Sequence, residues 1–317
     1  MSQQQPKSLQ ETGNNPSLTL SKYSLGLQTF LSTRMRVPLF LLFFLVGICL
    51  AGCATSQGGG ARSGPGNSNA ESTKVATRNS VPVVHVFVAL CDNVNQGIVP
   101  VSASLGNGDN PATNLYWGAA FGIKTFFKKN KDWELVAEFQ NPQPAIMERL
   151  VFRHKTSDVF LVADAYRGKE IRQTTVDFLE AAAGKPGEEI SIKRQTGPAS
   201  VNLAGSAEVV AYIGHDGLMD FTLPATQKKR DDRKRQAIIL ACASKQYFSS
   251  ALKNTGASPL LWTTNLMAPE AYVLSAALDG WIKQETDEQI RLRAAKAYHS
   301  YQNCGLKSAM NLFATGW

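Results

Sequence analysis

Several motifs that mark common enzyme classes are missing from this chain. It contains no Gly-x-Ser-x-Gly sequence, which argues against a serine hydrolase built around a nucleophile elbow. The glycine-rich stretch 105–118 has no Gly-Lys-Ser/Thr, so we interpret it as a turn or part of a substrate rim and not as a phosphate loop. The chain has 4 histidines, and His85 and His154 show no metal-ligand spacing. We therefore expect no metal site and no cofactor. We also find no internal repeat.

The chain also lacks an apolar run long enough to cross a bilayer. The run 37–51 falls short of the ~18–20 residues that ~30 Å of hydrocarbon requires. Met35 and Arg36 precede it and small residues follow it, which is typical of a cleaved secretory signal. The run closes on Leu-Ala-Gly-Cys at 50–53, which resembles a bacterial lipobox. That resemblance implies lipid attachment to Cys53, and the alternative is a plain secreted protein with an accidental cysteine.

These features divide the chain into four segments. Residues 1–34 are a disordered extension or an upstream mis-start of the reading frame, and residues 35–52 are the signal peptide. Residues 53–80 are rich in Gly, Ser and Asn and form a flexible tether, leaving 81–317 as one folded domain. Ala54 stands where an Asp would suggest retention in the inner membrane. The lipobox resemblance therefore implies an outer-membrane anchor facing the periplasm.

Charge gives little support for a nucleic-acid partner. The formal net charge is +8, and much of it lies in the basic stretch 227–236, which two aspartates interrupt. We interpret that stretch as a solvated loop close to anionic lipid or cell-wall polymer. If the domain cleaves after Lys or Arg, this loop is also a candidate for self-cleavage.

The cysteine count of the mature chain is odd once Cys53 is set aside, because Cys49 lies in the predicted signal peptide. Cys91, Cys242 and Cys304 remain, so at least one thiol is unpaired in an oxidising compartment. One arrangement pairs Cys91 with Cys304 and leaves Cys242 free, but the sequence does not establish that pairing.

Strand-like and helix-like segments alternate through the folded part. This order predicts an α/β three-layer sandwich with a mostly parallel central sheet. Strands are expected at 81–91, 133–139, 148–155, 158–166, 209–213, 237–240 and 258–265, and helices at 114–130, 168–184, 245–253, 269–284 and 286–302. Asn114 or Thr113 is expected to cap the first helix.

Two of these strands end in a reactive residue. His215 follows the strand 209–213, and Cys242 follows the strand 237–240. In an open parallel sheet, functional groups gather beyond the carboxyl ends of the strands. A thiol with an imidazole beside it supports covalent acyl transfer. A small core cysteine and a simple glycine turn are the alternative interpretation.

The segments AYIGHDG and IILACAS resemble the caspase-like clan of cysteine peptidases, which includes caspases, legumains, gingipains and CHAT-type bacterial proteases. The resemblance implies a caspase-like fold in which Cys242 is the nucleophile and His215 the general base and acid. Gly217 and the Cys242 amide would then be the oxyanion donors. Asp216 separates the usual His-Gly pair, so its amide is an alternative donor. Lys245 stands where the clan often has a glycine.

The same resemblance suggests where substrate would bind. Asp92 follows the first strand and would select Arg or Lys, with a turn or cap role as the alternative. Asn265, within the segment 262–270, would belong to the opposite wall. The expected function is thus a membrane-anchored cysteine endopeptidase acting on peptide or protein substrates. A catalytically inactive peptide-binding or scaffold lipoprotein of the cell envelope is the alternative.

Overall fold

A computed structural model describes residues 81–223 and 227–317. The predictions for the extension, the signal peptide, the tether and lipid-bearing Cys53 lie outside these residues. The ten strands of the described part are β1 Val83–Ala89, β2 Trp133–Gln143, β3 Ile146–His154, β4 Phe160–Tyr166, β5 Pro186–Ile192, β6 Ala199–Ala204, β7 Val209–Ile213, β8 Gln236–Leu240, β9 Ser258–Thr263 and β10 Phe313–Ala314. Its six α-helices are α1 Ile123–Lys129, α2 Ile171–Ala182, α3 Ser244–Thr255, α4 Ala271–Ile282, α5 Asp287–Gln302 and α6 Leu306–Leu312.

Eight of these strands form one sheet in the order β10-β9-β8-β7-β1-β4-β3-β2. The five central strands, from β9 to β4, run parallel, and β2, β3 and β10 add antiparallel edges. Every residue of β1, β4 and β7 is buried, as expected for strands covered on both faces. The predicted mostly parallel sheet is confirmed.

Helices cover both faces of the sheet. Val84 and Val86 of β1 face a core that α1, α4, α5 and α6 close. Phe87 of β1 faces the opposite core, which contains residues of α2, α3 and the β5–β6 hairpin. Because successive side chains of a strand point to opposite faces, one strand supplies both cores. The three-layer sandwich expected from the sequence is confirmed.

The first helix is shorter than predicted. Hydrogen-bonded turns occupy 114–122, and α1 begins only at Ile123. Asn114 is not its cap: it is buried, its Oδ1 accepts from the Cys91 amide and its Nδ2 donates to the Cys91 carbonyl. A Cβ at Gly122 would lie 2.4 Å from the Trp117 carbonyl oxygen, so the close approach of these turns requires glycine at this position. Tertiary contacts override helix propensity in this segment.

The polar stretch after α2 also differs from expectation. No strand was predicted between residues 184 and 209, yet this stretch contains the antiparallel hairpin of β5 and β6. β5 is mostly exposed, whereas β6 alternates buried and half-buried residues. The short α6 and β10 were not predicted either. Among residues 81–223 and 227–317, no helix combines the length and the apolar character needed to cross a membrane.

The three cysteines of the described residues are all free. Cys91 is buried and Cys304 is exposed, so the Cys91–Cys304 disulfide considered from the sequence is absent. Burial raises the pKa of the Cys91 thiol to about 11, which makes it a poor nucleophile at neutral pH.

Candidate active site

The structure brings His215 and Cys242 to the same edge of the sheet. Their strands, β7 and β8, are parallel neighbours in which Ile213 pairs with Leu240. Each reactive residue lies two positions beyond its paired strand residue. Parallel neighbours are ~4.8 Å apart, so the two chains leave the sheet side by side at its carboxyl end. His215 is 8% exposed, and Cys242 is half-buried.

A tight turn presents Cys242 between β8 and α3. Ala243 has a left-handed backbone with φ 48°, which is unusual for a residue with a Cβ. Behind it, the Ser244 hydroxyl donates to the Ile239 carbonyl, and the Thr263 hydroxyl accepts from the Ser244 amide. These buried contacts anchor the turn between β8 and β9. Cys242 therefore immediately precedes the Ala243 N-cap of α3.

The segment after β9 forms one wall next to Cys242. The Met267 amide lies 3.4 Å from the Cys242 Sγ, and the thiol lies 3.6 Å from the Met267 carbonyl. The Ala243 amide donates to the Asn265 carbonyl at 2.9 Å. Asn265 itself is exposed and lines a cavity of about 400 Å³ together with Leu266. The Asn265 backbone thus contacts the turn that carries Cys242, whereas the cavity that Asn265 lines contains Cys304 and not Cys242.

The imidazole of His215 has a carboxylate partner that sequence reasoning missed. Its Nε2 lies 2.7 Å from Oδ2 of Asp220, and the same oxygen accepts from the Gly97 amide at 3.0 Å. The Tyr212 hydroxyl donates to the His215 carbonyl at 2.7 Å and holds the turn. The available signal was an aspartate five positions after the histidine in HDGLMD. The short turn at Gly217–Met219 brings Asp220 back to the His215 ring. The spacing of the two residues in the sequence does not reveal this turn.

Three backbone amides are candidates for an oxyanion hole. Within the described residues, the amides of Asp216 and Cys242 make no hydrogen bond, so both are available as donors. The Gly217 amide points at the buried Tyr212 hydroxyl. Burial raises the pKa of that hydroxyl, and the contact with the Gly217 amide lowers it by a smaller amount. The Gly217 amide is thus engaged with Tyr212, whereas the Asp216 amide, the alternative donor considered from the sequence, is unbonded among the described residues.

Glycine at position 214 is required by the backbone. Gly214 has φ 149°, and a Cβ there would lie 2.9 Å from the Ala89 carbonyl oxygen of β1. Only glycine tolerates both conditions. The close approach of β7 and β1 at this point sets where the following histidine emerges.

The side chain of Asp216 is sealed inside the site loop. It is 0% exposed, its Oδ1 accepts from the Leu218 amide, and its Oδ2 has no partner among the described residues. Burial, with a smaller contribution from the nearby charge of Asp220, raises the pKa of this carboxyl to about 7.

Asp92 is occupied by its own loop. It is 4% exposed, its Oδ1 accepts from the Val94 and Asn95 amides, and its Oδ2 accepts from the Asn95 side chain. A Cβ at Gly108 would lie 2.4 Å from Oδ2, so the glycine-rich stretch closes over the carboxylate. These contacts match the turn role weighed for Asp92, and they leave little of the carboxylate to face a substrate.

The other three histidines have partners of their own. His85 accepts from the Ala204 amide through Nδ1 and donates from Nε2 to Asp164, inside the core. His154 lies against Trp133, and His299 accepts from the Gly305 amide. Within the described ranges, no group of three or more His, Cys, Asp or Glu side chains is placed to hold a metal ion.

Comparisons of the chain with protein-family models, with curated proteins and with solved structures returned no match.

Proposed function

We propose that this domain is a cysteine endopeptidase in which Cys242 is the nucleophile and His215 the general base and acid. The observation that carries the proposal is the register of β7 and β8, because it delivers the thiol and the imidazole to one edge of the sheet. Asp220 extends the pair to a Cys-His-Asp arrangement. The caspase-like resemblance of AYIGHDG and IILACAS gives the same roles to Cys242 and His215.

Asp220 determines which imidazole nitrogen can act as the base. A carboxylate can only accept, so Nε2 of His215 carries the proton and Nδ1 is the basic atom. Nδ1 makes no hydrogen bond to the described residues. It is therefore available to take the thiol proton.

The reaction balances without a cofactor. The Cys242 proton passes to Nδ1 of His215, and the thiolate attacks the peptide carbonyl carbon. The amides of Cys242 and Asp216 stabilise the oxyanion. The C–N bond then breaks, and His215 returns the proton to the leaving amine. Water, deprotonated by His215, hydrolyses the thioester and releases the acid and the free thiol.

We further propose that Cys53 carries lipid and holds the domain on the outer membrane facing the periplasm, with peptide or protein as substrate. The support is the signal and lipobox pattern of the sequence. Mass spectrometry of the N-terminal peptide from membranes tests this: a diacylglyceryl adduct on Cys53 is expected, and an unmodified chain that begins elsewhere contradicts it.

An inactive peptide-binding lipoprotein is the second candidate. The observation in its favour is Asp216, which separates His215 from Gly217 and leaves the Gly217 amide pointing at Tyr212. On this alternative the site binds a peptide and does not cleave it.

Thiol reactivity separates the two candidates. At pH 6 an ordinary thiol is almost fully protonated, so an activated Cys242 should be alkylated by iodoacetamide at least about tenfold faster than exposed Cys304. His215→Ala should remove that difference, and buried Cys91 should stay unmodified in both proteins. Equal rates at Cys242 and Cys304, together with no peptide cleavage, would favour the inactive module.

A further inference from the structure

Large apolar side chains are exposed on the loops around the candidate site. Four of the nine large apolar side chains that the described residues expose lie on loops at the carboxyl edge of the parallel strands. Their exposed fractions are 87% for Val94, 88% for Val99, 41% for Met219 and 68% for Leu266. Exposed apolar groups gathered around a site mark a binding surface.

Hydrogen bonds connect these loops to the reactive pair. The loop 93–101 reaches Asp220, the partner of His215, through the Gly97 amide, and Met219 immediately precedes Asp220 in the chain. On the other side, Leu266 immediately precedes Met267, whose amide meets the Cys242 sulfur. The apolar side chains thus flank the pair on both the histidine side and the cysteine side.

The same loops are poor in charge. Segments 93–108 and 264–269 contain no charged residue, and 217–223 contains only Asp220, which is bonded to His215 and Gly97. Asp92 is enclosed by its own loop. Burying a charged substrate side chain without a partner is costly, so this rim disfavours Lys, Arg, Asp and Glu next to the scissile bond.

One cation lines the surface on the histidine side. Arg172 borders the same shallow depression as Met219 and Asp220. Its guanidinium lies 4.1 Å from the centre of the Phe221 ring and donates to the Thr222 carbonyl at 2.8 Å. These contacts orient the guanidinium but do not neutralise its charge, so the binding test below includes an acidic peptide.

We infer that the site takes an extended polypeptide segment whose side chains on both sides of the scissile bond are uncharged and apolar. The inference rests on the proposed function and gives it a substrate class. It also departs from the basic specificity expected from Asp92. A segment of this kind is buried in folded proteins, so the class of partner is an unfolded or partly unfolded chain.

Binding can be measured separately from cleavage. The full chain with Cys242→Ala is mixed with fluorescent ten-residue peptides that differ only in two central residues, Leu-Val, Lys-Lys or Asp-Asp. Fluorescence anisotropy should show the Leu-Val peptide bound at least about tenfold tighter than the other two. Wild type should cleave the Leu-Val peptide and leave the basic loop 227–236 of its own chain intact.

Variants of the rim make the test specific. Leu266→Asp and Val94→Asp should each weaken binding of the Leu-Val peptide about tenfold, and Leu266→Asp should improve binding of the Lys-Lys peptide. Phe139→Asp is the control. Phe139 is 38% exposed, and it lies on β2, the outermost strand of the sheet on the side away from β8 and β9. Leu266→Ser repeats the loss of apolar surface without a new charge.

The outcomes are distinguishable. Preferential binding of the Leu-Val peptide without cleavage by wild type supports the inference and contradicts the proposed peptidase. Equal or tighter binding of the Lys-Lys peptide, or self-cleavage after Lys or Arg within 227–236, overturns the inference and leaves the peptidase standing. The inference is also overturned if Leu266→Asp and Val94→Asp bind the Leu-Val peptide as tightly as the parent protein does.

Discussion

The Asp220 carboxylate lies 2.7 Å from Nε2 of His215 and fixes the imidazole tautomer that the proposed chemistry needs. Asp220→Ala removes that constraint, and the basic nitrogen is then free to lie on either side of the ring. The Asp220 side chain is 35% exposed, so solvent screens part of its effect. We expect kcat to fall about tenfold to a hundredfold with KM nearly unchanged.

Steady-state kinetics on a peptide substrate measure this change. Asp232→Ala is the control, because Asp232 is fully exposed and, among the described residues, pairs only with Lys229. Asp220→Glu should recover part of the lost kcat. A KM increase with kcat unchanged would show that Asp220 binds substrate and does not position His215.

Asp216 should make the stability of the domain depend on pH. Its pKa is about 7 in the folded chain because of burial, against about 4 in the unfolded chain. Between these values the folded state holds more protons than the unfolded state, so the free energy of unfolding falls as pH rises from about 4 to about 7. Below pH 4 Asp216 is protonated in both states and costs no stability. Above pH 7 it is ionised in both states, and the full cost of burying its charge is present.

Asp216→Asn removes the titrating group but keeps an acceptor for the Leu218 amide. The variant should gain up to about 4 kcal/mol over wild type between pH 4 and pH 7. Urea unfolding at pH 4.5 and pH 7.5 measures the difference, with exposed Asp232→Asn as the control. A stability difference between variant and wild type that is equal at both pH values would contradict the assignment.

Sequence reasoning predicted the sheet well because its buried strands carry an obvious signal. The runs that became β1, β4 and β7 are mostly apolar and are buried at every position, and such a nearly continuous apolar run is the pattern of a strand covered on both faces. The β5–β6 hairpin was missed because β5 is mostly exposed and polar. Its stability comes from packing β6 against the core, which composition does not show.

The site was predicted less completely, for a related reason. His215 and Cys242 follow recognisable strands, so their shared edge follows from the register of two neighbours. Asp220 and the enclosed state of Asp92 depend on how short polar loops fold back. Loop geometry is set by individual hydrogen bonds, such as the one from Gly97 to Asp220, and no periodic pattern encodes it.

Ala243 is the strained position that presents Cys242. A left-handed backbone costs about 1–2 kcal/mol for a residue with a Cβ, and glycine avoids most of that cost. Ala243→Gly should therefore stabilise the domain by about 0.5–1 kcal/mol, whereas the branched side chain in Ala243→Val should destabilise it by more than that.

Urea unfolding measures both Ala243 variants. Ala297→Gly is the control, because Ala297 lies inside α5, where glycine should cost about 1 kcal/mol. Glycine should raise the free energy of unfolding at position 243 and lower it at position 297. Destabilisation of similar size by both glycines would show that Ala243 is not strained.

A buried charge network joins the centre of the sheet to its antiparallel edge. Arg149 on β3 contacts both oxygens of Asp164 on β4, at 2.6 Å and 2.8 Å, and His85 on β1 donates to the same carboxylate. Burial opposes ionisation of Asp164, but the hydrogen bonds from Arg149 and His85 outweigh it and lower its pKa. The network therefore stabilises the fold above about pH 4, and the contribution is lost as pH falls through the lowered pKa.

Asp164→Asn leaves the Arg149 guanidinium buried without its main counter-charge. Such a break costs about 3–5 kcal/mol, and the free energy of unfolding measured in urea at pH 7 should fall by that amount. Glu188→Gln is the matched control, because Glu188 also pairs with Arg149 but its side chain is 48% exposed, so it should cost less than about 1 kcal/mol. A loss of similar size in both variants would mean that the exposed carboxylate, and not the buried one, balances Arg149.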